Sequence, residues 1–401
     1  MDPKNPPESG RIESVDIMRG LTILVMAFVN DLADFAPVKD VPQWLRHMKP
    51  DVNGFTFVDL IIPVFMFILG ISVPLALGKR LARGDSPLQV FGHILTRAGS
   101  LIIIGLMDAN RGAGLGRPYG DMLDWPHGLW KFLAWTFVFL VWLDVPLKSP
   151  LSKNVRRGIR IAGLIGLVWL AVVFRNPSGG PFTIGRWATL GQLGWAYLFA
   201  SITWLVFRDN KLGIMGVFAL MHCLFIGIKS GLFQDVWLIN WIGPSILGTY
   251  SANAVAGLIV GILLAEKTGP KEKIRTMLGM AAFAWIAAIL LQRVNGLHLP
   301  STSWSFYATC YASLIWVILY WLIDVRRWKR GLAPVRIVGQ NCLFLYQMSR
   351  YWIFIYWLAG LTFYETLGQD TALGIARAVA YTVFLGALTV IATKRRVLLK
   401  V

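Results

Sequence analysis

Two residues able to do proton chemistry, and an asparagine able to donate hydrogen bonds beside them, fall around one short re-entry of the chain. Asn30 closes an apolar run, and His47 stands in the polar segment that follows. Asp59 lies about a turn inside the next run, in "HMKPDVNGFTFVDLIIPVFMFILGISVPLAL". A histidine titrates near neutrality and can act as a general base. An aspartate bonded to one ring nitrogen holds the imidazole in one tautomer. A carboxylate inside a span is a functional candidate by default, because lipid opposes an ionised group. The plainer reading of the same residues is a solvated loop histidine and a helix-start carboxylate favoured by the dipole.

A second pair lies in "ESVDIMRGLTIL", where Asp16 and Arg19 share a helix face at i and i+3. Arg19 offers a planar fork suited to phosphate. A structural ion pair that also anchors topology explains the pair equally well. The remaining signals are weaker. "GLIVG" (Gly257 to Gly261) has small-xxx-small spacing, which serves close helix packing or a homodimer face. "RGAGLGRPYG" lacks the strand and helix that flank a phosphate loop and reads as an irregular loop. His93, His127, His222 and His298 show no metal-ligand spacing and read as packed or interfacial; His127 and His298 lie where an acceptor could bind. Cys223, Cys310 and Cys342 all lie in apolar stretches and read as small buried hydrophobes, so no metal is expected.

The elements that must position these residues are membrane helices. The chain has 401 residues, 56% of them hydrophobic and 15% charged, with a mean hydropathy of +0.59. Apolar runs of about 20 residues recur along it, too long and too unalternating for barrel strands. The expected fold is an all-α polytopic membrane protein with about twelve transmembrane helices, at roughly 15–33, 55–78, 92–109, 127–146, 158–175, 188–207, 212–229, 246–265, 275–293, 304–324, 336–360 and 373–393. The first run follows Arg11 and Arg19 without a small-residue cleavage site and is expected to stay as the first span. Residues 1–14 read as a disordered tail, 15–393 as one transmembrane domain and 394–401 as a basic tail.

The net charge of +18 is concentrated in alternate loops, which hold about two-thirds of the Lys and Arg residues. That asymmetry makes those loops and both termini cytoplasmic. It accounts for the charge through topology and anionic headgroups, without nucleic acid. Trp and Tyr gather at span ends, where interfacial anchoring explains most of them.

The stretch "RIESVDIMRGLTILVMAFVND" together with the His47 segment resembles the heparan-α-glucosaminide N-acetyltransferase family and its bacterial relatives, within the transmembrane acyltransferase superfamily. The matching positions are Ser14, Asp16, Arg19, Gly20, Asn30, His47, Asn53, Gly54, Thr56, Asp59, Pro63 and Phe65. Weaker similarity continues through "RWATLGQLGWAYLFA", "GTYSANAVAGLIVGILLAE", "PSTSWSFYATCYASL" and "GQNCLFLY". Val52 stands where the family often has Trp, and "LHLPSTSW" lacks a lysine common in relatives.

The resemblance implies acetyl transfer across the membrane from cytoplasmic acetyl-CoA to an amino sugar or glycan on the far side. It assigns catalysis to His47 with Asp59 and Asn30. Arg19, with Asp16, Lys79 and Arg80, would hold the CoA phosphates. Asn53, Trp304, Asn341 and His298 are the expected acceptor-binding residues. The expected location is a bacterial inner membrane. N- or O-acetylation, and direct transfer or an acetyl-histidine, stay open. The rival readings are a proton-coupled secondary transporter using Asp59 and a structural partner of an envelope assembly.

Overall fold

The structure is a computed structural model and describes residues 12–35, 38, 40–49, 51–110, 125–126, 128–144, 153–176, 178–359, 364, 367 and 370–401. The glycine-rich loop 111–120, His127 and the first ten residues lie outside the described residues.

The chain is helical nearly throughout, as its apolar runs require: in lipid every backbone polar group must be satisfied within the segment. The helices are α1 (Glu13–Asn30), α2 (Ile61–Ala82), α3 (Pro87–Ala109), α4 (Leu129–Trp142), α5 (Lys153–Val173), α6 (Thr189–Phe207) and α7 (Lys211–Lys229). They continue with α8 (Trp237–Ile242), α9 (Ser251–Ala265), α10 (Pro270–Asn295), α11 (Thr302–Leu319), α12 (Ala333–Gln340), α13 (Cys342–Leu358) and α14 (Thr371–Lys394). Among the described residues, eight helices are long and apolar enough to cross a membrane. The other four expected segments coincide with α1, α4, α5 and the α12–α13 pair. The protein is thus an all-α polytopic membrane protein. The expected single span at 336–360 is two helices, because the backbone leaves helical geometry at Asn341.

Helices pack where glycines let backbones touch. A Cβ on Gly257 would overlap the Phe67 carbonyl, and one on Gly70 would overlap the Ala254 carbonyl, so α2 and α9 meet backbone to backbone. Gly105 meets Gly191 between α3 and α6, and Gly20 and Gly339 bring α1 against α12. Lipid tails give helices no hydrophobic reason to associate, so close approach and dispersion supply the attraction. The "GLIVG" face is therefore consumed inside the chain, and α9 is buried from Ser251 to Leu263. By contrast α10 exposes Leu278, Phe283, Ile286 and Leu290, as a lipid-facing helix does.

Two irregularities bear on function. Wide π turns follow α1 (Asp31–Phe35) and precede α9 (Ile246–Tyr250). Near the end of the chain a short strand, β2 (Leu398–Leu399), pairs antiparallel with β1 (Leu143–Asp144) and is pinned by Lys400 to Asp144 at 2.7 Å.

Candidate active site

The segment between α1 and α2 returns to the helix bundle at Thr56 and Asp59. Asp59 sits in a one-turn 3-10 helix (Val58–Leu60) that leads into α2. One carboxylate oxygen lies 2.7 Å from His47 Nδ1. The other accepts the Thr56 amide at 2.8 Å, the Thr56 hydroxyl at 3.1 Å and the Met48 amide at 3.2 Å. The one proton of the Thr56 hydroxyl is shared between Asp59 and the Arg46 carbonyl, 2.7 Å away, which ties the two ends of the loop together. The Asp59 side chain is 4% exposed and that of His47 54%, so a buried anchor holds an accessible imidazole. With Nδ1–H donated to a carboxylate, the basic lone pair is on Nε2.

On the basic side of the bundle a cavity of about 610 Å³ opens between α1, α2, α3, α6, α12 and α13. Its wall along α2 runs from Lys79 to Phe65, and along α1 from Ile12 to Met26. Each wall is about 21 Å long at a rise of about 1.5 Å per residue. Asp59 lies about 9 Å beyond Phe65 on the same count. The lining is mostly apolar, with Arg19, Lys79, Arg97 and Lys400 as its cations and Asp16 as its carboxylate. Arg19 is held in place by Asp16 at 3.3 Å, the Ser72 hydroxyl at 2.7 Å and the Gly339 carbonyl at 3.3 Å.

The structure brings Arg19, Asp16 and Lys79 together on that cavity, as the expected cofactor set would require. It does not add Arg80, which turns away to Asp85 at 2.8 Å and His93 at 3.5 Å. Asn341 is on the cavity too, and not with the other residues expected to bind an acceptor. Its side-chain amide donates to Thr393 and Val397 and accepts the Leu399 N–H, so it satisfies backbone groups of the segment after α14. Asn30 ends α1, half-buried, and makes no side-chain hydrogen bond to His47 or Asp59 among the described residues.

On the opposite side, Asn53 accepts the Leu297 amide at 2.7 Å, which joins the His47 loop to the α10–α11 turn. His298 is exposed beside it; both lie within 4 Å of the point where a Gly296 Cβ would sit. Trp304 is 3% exposed and packs in one cluster with Phe55, Leu60 and Tyr250.

Sequence reasoning passed over several residues that the folded chain places here. Arg97 lines the cavity with its guanidinium over the Tyr197 ring at 4.9 Å, and its buried Nε has no hydrogen-bond partner. The available signal was an arginine within the apolar run of α3. Tyr346 stands at the deep end and donates to Asp108 at 3.0 Å. Cys342 contributes a thiol to the wall, where a buried hydrophobe was expected.

The bundle and its two-sided site define a class: a polytopic helical membrane protein with a cation-lined cavity on one side and a histidine–aspartate pair on the other. Residues 11–260 match the family profile described as a domain of unknown function (DUF5009), and the chain belongs to that family. It is also similar to heparan-α-glucosaminide N-acetyltransferase of Mus musculus, with 26% identity over 376 residues and 84% of this chain. The Homo sapiens protein of the same name shows 31% identity over 375 residues. The chain spans about half the length of these curated relatives, 53% and 52% respectively.

Proposed function

We propose that this protein transfers an acetyl group from acetyl-CoA to an amino sugar or glycan across a bacterial inner membrane, with the basic side cytoplasmic. One observation carries the reading. A narrow, cation-mouthed cavity runs about 21 Å inward along α2, and the same helix leads on to the His47–Asp59 pair. Phosphates suit the mouth, with Lys79, Arg97 and Lys400 beside the anchored Arg19. An extended, mostly apolar arm suits the interior. The similarity to named N-acetyltransferases supports the same chemistry.

The donor supplies an activated thioester carbonyl. His47 Nε2 takes a proton from the acceptor amine as its nitrogen attacks that carbonyl. The carbon–sulfur bond then breaks, and the proton on His47 is available to the departing sulfur. Asp59 holds the imidazole in the required tautomer and stabilises the imidazolium that forms. Asn30, at the end of α1, is assigned to the oxyanion or to acceptor orientation. Asn53, His298 and Trp304 face the acceptor side, while Asn341 shapes the donor cavity.

Calorimetric titration of the detergent-purified protein with acetyl-CoA, paired with turnover on an amino sugar, tests the reading. Saturable binding is expected in the wild type and in His47→Ala, with turnover lost only in the variant. Near-native turnover by His47→Ala, or no acetyl-CoA binding by folded protein, removes it.

A further inference from the structure

The π turn at Ile246–Tyr250 is surrounded by more polar groups than a membrane interior ordinarily holds. The Thr249 carbonyl accepts Asn253 Nδ2 at 2.7 Å and lies 3.2 Å from Ser305 Oγ. Asn253 Nδ2 also reaches Ser305 Oγ at 2.9 Å, and Asn253 Oδ1 accepts the Thr309 hydroxyl at 3.0 Å. His222 Nδ1 lies 2.9 Å from the Phe218 carbonyl, which makes Nδ1 the protonated nitrogen. Its Nε2 then faces Ser305 Oγ at 3.1 Å. His222, Asn253, Ser305 and Thr309 are all buried, on three different helices. Buried polar groups cost free energy unless paired. Here they are paired with one another and with a carbonyl of a turn wider than the α-helical ladder.

What this network supports is Tyr250, the last residue of the turn. Its ring meets Trp304 edge-on at 5.8 Å and 74°. Tyr250 and Trp304 pack with Phe55 and Leu60, which bracket Thr56 and Asp59 in sequence. The Tyr250 hydroxyl is within electrostatic range of the Asp59 carboxylate, and it makes no hydrogen bond among the described residues. Trp304 Nε1 is buried and has no hydrogen-bond partner. Unsatisfied groups of this kind are rare in folded proteins and call for an explanation. Phenylalanine would fill the apolar space at 304 without the unsatisfied Nε1, and at 250, which is half-buried, without a hydroxyl that makes no hydrogen bond among the described residues.

We propose that the Tyr250 hydroxyl is an acceptor-specificity group, which with Trp304 Nε1 hydrogen-bonds ring hydroxyls of an amino sugar so that its amine faces His47. This rests on the transferase reading above. The buried network from His222 to Thr309 sets the π turn, and the π turn sets the position of the tyrosine.

The test is Tyr250→Phe in the full chain, with D-glucosamine as the probe. Glucosamine binding is titrated calorimetrically with CoA present, and steady-state transfer from acetyl-CoA is measured in parallel. Loss of one hydrogen bond is expected to weaken glucosamine binding and raise its KM by about tenfold, with the KM for acetyl-CoA and the unfolding temperature unchanged. Unchanged glucosamine affinity, or an equal loss of acetyl-CoA affinity, overturns the proposal. If wild-type protein binds glucosamine but transfers nothing, the transferase reading fails, and a binding loss in Tyr250→Phe still upholds the subsite. If wild-type protein does not bind glucosamine, the subsite is overturned, whereas transfer to another acceptor keeps the transferase reading.

Discussion

His47 and Asp59 are twelve residues apart in sequence and 2.7 Å apart in space, one mostly exposed and the other almost wholly buried. The carboxylate is committed on both oxygens, because Thr56 and Met48 occupy the one that His47 leaves. An imidazole fixed this way has one orientation and one basic nitrogen.

Asp59→Asn tests that commitment. An asparagine can keep its Oδ1 for the Thr56 and Met48 N–H groups only by turning Nδ2–H toward His47 Nδ1, which puts the ring proton on Nε2 and removes the basic lone pair from it. Turnover is expected to fall about 10²-fold or more, while acetyl-CoA affinity measured by calorimetry stays near that of the wild type. An equal fall in both would make Asp59 a general fold residue.

Arg97→Ala should separate the cavity cations from the merely basic loop. Its Nε is buried without a partner and its guanidinium is stacked on Tyr197, so it is pre-positioned for an anion. Losing a charge-assisted hydrogen bond is expected to weaken acetyl-CoA binding by about 10- to 100-fold. Arg80→Ala, whose side chain faces Asp85 and His93 outside the cavity, is expected to change it less than about twofold. Comparable losses in the two variants would mean that the field of the whole basic face, and not the cavity, attracts the donor.

Gly257→Leu addresses the frame. Any side chain there meets the Phe67 carbonyl on α2, which is backbone and cannot swing aside. Overpacking of a core typically costs about 1–3 kcal/mol, and a backbone clash at a helix crossing falls at the upper end. Thermal unfolding followed by size-exclusion chromatography in detergent should show a clearly lowered midpoint. Gly279→Leu on α10, where an added Cβ meets nothing within 4 Å, should leave the midpoint nearly unmoved.

Much of this was legible because the signals were local. The spans follow from apolar length, and an aspartate at the start of an apolar run pointed to Asp59. Arg97 was hidden by the logic of topology, since a cation near a basic loop reads as an anchor until its neighbours are known. Asn341 was grouped with the acceptor by the resemblance, and an unbroken run at 336–360 gives no sign of the helix break that turns its amide toward Thr393 and Leu399. Tyr250 looked like another interfacial aromatic. Its setting depends on a π turn and on Asn253 and Ser305, which lie 52 residues apart and meet only after three helices have packed.

The helix α2 carries Asp59 just before its first turn, Ser72 in its middle and Lys79 near its end, and glycine contacts with α9 grip it between Phe67 and Pro74. Backbone contact of this kind makes α2 and α9 one rigid pair, so the two ends of α2 keep their spacing. In the proposed reaction the separation between the two chemical stations is then as constant as a rail gauge. What crosses the remaining gap is the arm of the donor, which meets an imidazole that Asp59 holds in place, so the proposed transfer is a handover at a fixed point.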